Sequence, residues 1–126
     1  MTKVDPEAYG KSLLLRASEA VFVAKIDLSV GDWKPARNMC HYNVNYFCEC
    51  NPDYAVVRGW LYFELPGLPF AKFLSHSVVR APDGTLCDIT PWEATQDYAF
   101  MPANLTDDEY AELVEEQDHG HFHPRK

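Results

Sequence analysis

The sequence predicts an α+β fold in a single domain covering residues 1–126, because a chain of 126 residues can bury one hydrophobic core but not two. Patterns typical of helices come first, patterns typical of strands fill the middle of the chain, and another helical pattern lies near its end. A hydrophobic content of 47% with 24% charged residues is that of a globular protein and excludes a disordered or fibrous chain. The predicted order is helix, helix, at least three strands, helix.

The first helix is predicted from its start signal and from its apolar spacing. Asp5 stands in the N-cap position, and Pro6 suits the first helical position. Apolar residues then recur at helical spacing as far as Val21, so we expect a helix from about Pro6 to Val23. The stretch VFVAKIDLSV, 21–30, could either continue this helix or form a strand, and its periodicity leaves both open.

The second helix is predicted within RNMCHYNVNYFCEC, 37–50. Asn38 is its expected N-cap, since asparagine is among the best capping residues. Three apolar side chains follow Cys40 at helical spacing on the same side, and these are Val44, Phe47 and Cys48. We therefore expect a short helix that carries Cys40 in its first turn.

Strands are predicted after the turn NPDY, where β-branched and aromatic residues become frequent. The three predicted strands are AVVRGWLYFEL at 55–65, KFLSHSVV at 72–79 and TLCDIT at 85–90. The stretch TPWEATQDYAFMPAN, 90–104, is expected to be irregular. Thr106 and Glu109 then form a capping box, which predicts a helix through about Glu116.

The hairpin between the second and third strands determines which side chains share a face. APDG, 81–84, has proline and glycine where a three-residue loop with a bulge needs them. Such a loop places Val79 opposite Cys87, and alternation then puts His76 and Asp88 on one face as diagonal neighbours. A loop of two or four residues would reverse this parity.

The charge balance excludes two classes of partner. The formal net charge is −8, from 19 acidic against 11 basic residues, and the basic residues are scattered along the chain. Such a protein would repel a nucleic-acid backbone or an anionic membrane surface, so neither nucleic acid nor membrane is an expected partner. The oligomeric state is left open.

The compartment is predicted from the apolar runs and the cysteines. The N-terminus has no apolar core of signal-peptide length, and no run approaches the roughly 20 apolar residues that span a bilayer. A cytoplasmic protein is therefore expected, in which the cysteines are free thiols. These cysteines are Cys40, Cys48, Cys50 and Cys87.

Cys40 is the strongest candidate for chemistry in the sequence. A thiol in the first turn of a helix lies at the positive end of the helix dipole, which favours its thiolate. His41 comes next, but neighbours along a helix diverge by about 100°, so we predict that His41 is a surface or packing residue and a poor base for Cys40. His76 is the better candidate base, and Asp88 on the next strand would orient it.

Four sequence blocks, NMCHYNV, VVRGW, LSHSVV and DGTLCDITP, follow one another between Asn38 and Pro91. In this order they resemble the core of the papain-like cysteine enzymes of the transglutaminase-like and NlpC-type group. The resemblance implies a nucleophile at Cys40, a general base at His76 and an orienting acid at Asp88. It also implies a small antiparallel sheet packed against the cysteine helix, so the expected α+β fold has a papain-like core.

The resemblance implies a reaction as well. This reaction is a thiol-dependent hydrolysis or acyl transfer on an amide or ester bond, with a peptide or another amide or ester as substrate and no cofactor. The backbone N–H of Cys40 and the side chain of Asn38 are the candidate oxyanion donors, and Trp60 and Trp92 are candidate substrate contacts. The family often has an aromatic residue two positions after its histidine, where this chain has Val78, and no upstream glutamine that would complete an oxyanion hole is identifiable.

A metal site is one alternative. It could draw on Cys48 and Cys50 together with the histidines of the tail DHGHFH, which are His119, His121 and His123. No C-x2-C pair of the structural-zinc type is present, so no metal ligand is predicted. The tail is instead interpreted as a mobile, polar terminus.

A binding module is the other alternative. Such a protein would have kept the fold and lost the activity. Its contacts would be aromatic residues such as Trp60, Tyr62 and Trp92, although such rings more often lie in a core.

Overall fold

The structure is a computed structural model that describes residues 4–91, 99–116 and 121–126. These residues form an α+β fold with three α-helices, which are α1 Pro6–Leu15, α2 Cys40–Cys50 and α3 Asp107–Glu116. They also form seven strands, which are β1 Val21–Phe22, β2 Ala24–Lys25, β3 Ala55–Phe63, β4 Lys72–Arg80, β5 Leu86–Asp88, β6 Ala99–Pro102 and β7 His121–Phe122. Within the described ranges, no helix has the length and apolar character needed to cross a membrane.

The first helix begins as predicted and ends earlier. The carboxylate of Asp5 caps α1 by accepting a hydrogen bond from the N–H of Glu7 (3.3 Å). The helix ends at Leu15 instead of Val23, and a 3-10 turn, Ala17–Glu19, leads towards β1. The stretch 21–30, for which the sequence allowed either a helix or a strand, therefore begins with two short strands. Of these, β1 pairs with β6 and β2 pairs with β5.

The strands form one mixed sheet in the order β1-β6-β3-β4-β5-β2, with β7 added to β4. The sheet has more strands than the small antiparallel sheet that was predicted. It is also not wholly antiparallel, because β2 runs parallel to β5. β1 and β2 follow each other directly in the chain but lie at opposite ends of the strand order. The sheet is therefore curled until it is nearly closed, since this short connection brings its two ends together.

β6 has no counterpart in the sequence prediction. It is formed by Ala99–Pro102, within the stretch 90–104 that was expected to be irregular; residues 92–98 lie outside the described part of the chain. Phe100 and Met101 are both buried, although neighbours on a strand point to opposite faces. A strand buried on both faces shows no alternation, which is why its pattern was not recognised.

The C-terminal tail also joins the sheet. His121–Phe122 pairs with β4, and its phenylalanine ring is buried in the core. The N–H of Ala71 donates to the carbonyl of Pro124 (3.1 Å). The prediction of a mobile tail is therefore wrong for residues 121–126, whereas His119 lies outside the described residues.

The two faces of the curled sheet have different cores. The inner face carries a cluster made of Val57, Leu61, Val78 and Phe100. The outer face is covered by the helices, with Trp60 of β3 packed against α1 and α3 and Val79 of β4 packed against α2. The apolar side predicted for α2 is confirmed, because Val44 and Phe47 are buried in this contact.

Gly59 lies on β3 opposite His76, at a point where β6 approaches closely. A Cβ atom at this position would lie 2.2 Å from the carbonyl oxygen of Met101 and 2.5 Å from the ring of Phe100. Both distances are far below van der Waals contact. The pairing of β3 with β6 therefore requires a glycine next to the strand that carries His76.

We predict that Gly59→Ala lowers the free energy of unfolding by about 3 kcal/mol or more, because the added methyl group must displace backbone as well as a buried ring. Urea unfolding measures this change. Gly31→Ala is the control, since a Cβ at Gly31 meets nothing within 4 Å and the cost there comes only from its φ of +56°, about 1 kcal/mol. Equal losses in the two variants would contradict the close approach of β6.

Candidate active site

The predicted hairpin register is confirmed, with Val79 opposite Cys87. This register makes His76 and Asp88 diagonal neighbours, and Nε2 of His76 lies 2.8 Å from Oδ2 of Asp88. The two residues are only 3% and 5% exposed, so water does not compete for this hydrogen bond. The structure thus brings together the predicted base and its orienting acid.

The carboxylate of Asp88 is held from two sides. Its Oδ2 faces His76, while its Oδ1 accepts a hydrogen bond from the N–H of Thr90 (3.1 Å). The carboxylate therefore caps the turn that follows β5 and orients the imidazole at the same time.

Cys40 is the first residue of α2, so its thiol lies in the first turn as predicted. The N-cap is Met39 and makes no side-chain capping bond; the prediction of Asn38 as N-cap is wrong. Asn38 instead adopts a left-handed conformation with φ of 59°, which asparagine tolerates better than most residues, and its side chain is exposed. The first N–H groups of α2 have no acceptor within the helix.

A buried asparagine holds the start of α2 against the end of β5. The side chain of Asn43 donates to the carbonyl of Ala36 (2.8 Å) and accepts from its N–H (3.0 Å). It also donates to the hydroxyl of Thr90 (3.0 Å), whose N–H donates to the carboxylate that faces His76. These bonds tie the first turns of α2 to the position beside the imidazole. The sequence signal for this role of Asn43 was its position one helical turn before Phe47, which places the two side chains on the same side of α2.

The Cys40 thiol interacts with two imidazoles, those of His41 and His76. Burial alone would raise the pKa of the thiol. Hydrogen bonds to the two histidines and their positive charge outweigh burial and lower the pKa of Cys40 from 9.0 to about 6. Cys40 is therefore a thiolate at neutral pH.

The imidazole of His76 has the opposite shift. Burial alone would lower its pKa, but the hydrogen bond and charge of Asp88, together with those of Cys40, raise the pKa of His76 from 6.5 to about 9. At neutral pH the site consists of a thiolate, an imidazolium and a carboxylate in contact. Like charges are separated in this arrangement by the imidazolium between them.

His41 was predicted to be a surface or packing residue and a poor base for Cys40, and in the structure it also interacts with the thiol. Its Nδ1 lies 2.6 Å from Oγ of Ser77, and its ring stands edge-on to Tyr110 with the ring centroids 5.8 Å apart. The divergence of about 100° applies to the Cα–Cβ directions of helix neighbours. An imidazole reaches further from the backbone, and the bond to Ser77 sets its direction.

Tyr110 on α3 is a further residue that the sequence did not reveal. Its hydroxyl donates to the carbonyl of Gly59 (2.7 Å) and accepts from the N–H of His76 (3.2 Å). Burial raises the pKa of Tyr110 well above its usual value, so the side chain remains a neutral phenol. Tyr110 thereby joins β3 to β4 at the residue that carries the imidazole.

Of the two candidate substrate contacts, Trp60 is not brought to this site. Trp60 is fully buried in the core, and its indole N–H donates to the hydroxyl of Tyr9 (3.0 Å). A substrate cannot contact a side chain in that position, so the core interpretation applies to Trp60 and its assignment as a substrate contact is wrong. Trp92 lies outside the described residues.

The cysteines are free thiols, as predicted, and Cys48 is half-buried whereas Cys50 is exposed. Among the residues that the structure describes, no three histidine, cysteine or acidic side chains are arranged to hold a metal ion. Of the tail histidines, His123 is exposed and its ring stands edge-on to Phe70. The residues proposed for a metal site are therefore not gathered in this part of the chain.

Comparison with known proteins found no match. No family model matches the chain, and no curated protein or solved structure matches it either. The function is therefore inferred from the chemistry of the residues themselves.

The charged pair predicts that the wild-type protein shows no net pH dependence of stability from Cys40 and His76 between pH 6.5 and 9. In this window the folded site holds one proton, on His76, and the unfolded chain also holds one, on the ordinary thiol of Cys40. The lowered pKa of Cys40 adds stability as the pH rises, and the raised pKa of His76 removes the same amount.

Cys40→Ser removes one side of this balance, while Asp88 still raises the pKa of His76. Above pH 6.5 the folded variant then holds one proton more than its unfolded chain, so its free energy of unfolding falls by about 1.4 kcal/mol per pH unit until the folded pKa of His76 is passed. Urea unfolding of the wild-type protein and of the variant across this window measures the difference between their pH profiles of stability. The other titrating groups are the same in both proteins, so their contributions cancel. Parallel pH profiles would contradict the charged pair.

Proposed function

We propose that the protein is a thiol-dependent hydrolase or acyltransferase that acts on an amide or ester bond. The observation that carries this proposal is the contact of Cys40 with a buried His76, whose Nε2 lies 2.8 Å from the carboxylate of Asp88. A nucleophile, a base and a group that orients the base are the parts that covalent catalysis by a thiol requires. The substrate is a peptide or another molecule with an amide or ester group, and the chemistry requires no cofactor.

The proposed reaction starts from the thiolate and the imidazolium. The sulfur of Cys40 attacks the carbonyl carbon, a C–S bond forms, and the π electrons move onto the oxygen. The bond to the amine or alcohol then breaks, and His76 gives its proton to this leaving group. In the second half, neutral His76 takes a proton from water or from an acceptor, which attacks the thioester and releases Cys40 as a thiolate. Nδ1 is the ring nitrogen assigned to these transfers, because Nε2 faces Asp88.

The oxyanion formed during attack requires hydrogen-bond donors. The backbone N–H of Cys40 is one, since the first N–H groups of a helix have no acceptor within it. The exposed side chain of Asn38, two residues earlier, is proposed as the second. Preorganised donors of this kind stabilise the transition state because they are already oriented before charge develops.

The order of the elements supports a papain-like core as part of this proposal. The nucleophile stands at the start of α2, the base lies on β4 and the acid lies on β5, with β3 pairing beside them. The other strands extend this core. The free cysteines support a reducing compartment such as the cytoplasm.

Alkylation of Cys40 by iodoacetamide should be fast at pH values where an ordinary thiol is protonated. Its rate should reach half of its maximum near pH 6, because the thiolate is the reacting form. Peptide mapping by mass spectrometry separates Cys40 from Cys50, whose exposed thiol is an internal control for access to the reagent. If Cys40 shows no such reactivity, the proposal fails and a binding module that has lost the activity is favoured.

Turnover of activated esters and amides should vanish in Cys40→Ala and fall about 10²–10⁴-fold in His76→Ala, which lacks the general acid and base. Asp88→Asn removes the charge with little change in shape and should lower turnover by up to about 10⁴-fold. Cys50→Ala is the matched control, since it removes a thiol at the opposite end of α2. Unchanged turnover in Cys40→Ala would contradict the proposal. An added amine that is converted into an amide product would identify acyl transfer.

A further inference from the structure

The thiol of Cys40 has a second imidazole beside it that the proposed mechanism does not use. His41 is half-buried and contacts the sulfur, as His76 does. His76 is held by the carboxylate of Asp88, whereas His41 is held by the fully buried hydroxyl of Ser77. The two imidazoles therefore reach the thiol from different elements, α2 and β4, and with different partners.

The hydroxyl of Ser77 is itself oriented by Arg58. Nη1 of the guanidinium donates to Oγ of Ser77 (3.1 Å), and Nη2 donates to Oδ1 of Asn45 on α2 (2.6 Å). A guanidinium can only donate, so Oγ of Ser77 accepts from Arg58 and is held in place beside Nδ1 of His41. Because Nδ1 of His41 faces Ser77, Nε2 is the ring nitrogen that is left to donate to the thiol.

The ring of His41 is also fixed from the side of α3, where it stands edge-on to Tyr110. A histidine that merely filled the helix surface would need neither this contact nor a buried hydroxyl at 2.6 Å. Residues on β3, β4 and α3 thus define the position of one side chain at the start of α2.

We propose that His41 is a further functional residue of this site, which donates an N–H hydrogen bond to the thiolate of Cys40 while His76 transfers protons. This inference rests on the proposed function, in which Cys40 is the nucleophile. One N–H is sufficient for this role, which requires no proton transfer by His41. Ser77 and Arg58 are then positioning residues, since they act on the thiol only through His41.

The titratable and charged groups around the thiol come from several elements. His41 on α2, His76 on β4 and Tyr110 on α3 interact with it, whereas Asp88 on β5 acts through His76 and Arg58 on β3 acts through Ser77 and His41. The two histidines act on Cys40 directly, and both lower its pKa. Removal of either one should therefore weaken the thiolate without abolishing it.

The test compares the pH profile of Cys40 alkylation in His41→Phe, Ser77→Ala and His76→Ala. Phenylalanine keeps a ring against Tyr110 but has no N–H. In His41→Phe the apparent pKa of Cys40 should rise by about one unit, which at pH 6 is about a fivefold loss of alkylation rate. Ser77→Ala keeps the imidazole of His41 but removes the hydroxyl that orients it. The apparent pKa of Cys40 should therefore also rise in Ser77→Ala, by less than in His41→Phe.

The outcomes separate the two proposals. An unchanged profile in His41→Phe, together with a raised pKa of Cys40 in His76→Ala, would overturn the role of His41 and leave the proposed function intact. An ordinary thiol profile in the wild-type protein would overturn the proposed function itself. If urea unfolding shows that His41→Phe is not folded, the profile of Ser77→Ala decides, and an unchanged profile there overturns the role of His41.

Discussion

The hydrogen bond between Nε2 of His76 and Oδ2 of Asp88 is the contact on which the rest of the site depends. Both side chains are almost completely removed from water, and breaking a buried pair by deleting one partner costs about 3–5 kcal/mol. Each group therefore requires the other. The thiolate of Cys40 is stabilised by His41 and by His76, and the pair keeps on His76 a positive charge that burial alone would have removed. The carboxylate of Asp88 thus contributes to the charge of the sulfur through His76.

The fold around this pair is built to keep β4 and α2 in place. Gly59 lets β6 approach β3, the strand next to His76, and Tyr110 on α3 joins the main chains of β3 and β4. Asn43 performs the corresponding task for α2 by bonding it to the segment that follows β5. These residues need not meet the substrate, but the distance between thiol and imidazole follows from them. Loss of geometry at the site is therefore expected from changes well outside the triad.

Short-range chemistry explains what the sequence could predict. The APDG turn determines the register of its hairpin through local backbone preferences, and that register was enough to pair His76 with Asp88. The contact of His41 with Ser77 and the strand at Ala99–Pro102 could not be predicted in the same way. They depend on elements that are distant in the chain, and on positions buried on both faces, where no alternation remains. The N-cap of α2 was misplaced because Asn38 is equally suited to the left-handed conformation that it adopts.

NMR titration of the ring nitrogens of His76 tests the central claim most directly, because it observes the charge of the imidazole without a substrate. Between pH 6.5 and 9, both nitrogens of His76 should be protonated in the wild-type protein, as an imidazolium between a thiolate and a carboxylate requires. The same titration in Asp88→Asn should give a neutral imidazole over more of this range. The hydrogen bond to the Asp88 carboxylate makes the largest contribution to the raised pKa of His76, and the variant lacks this carboxylate. A neutral His76 throughout this window in the wild-type protein would contradict the account, since Cys40 would then have no charged partner on β4.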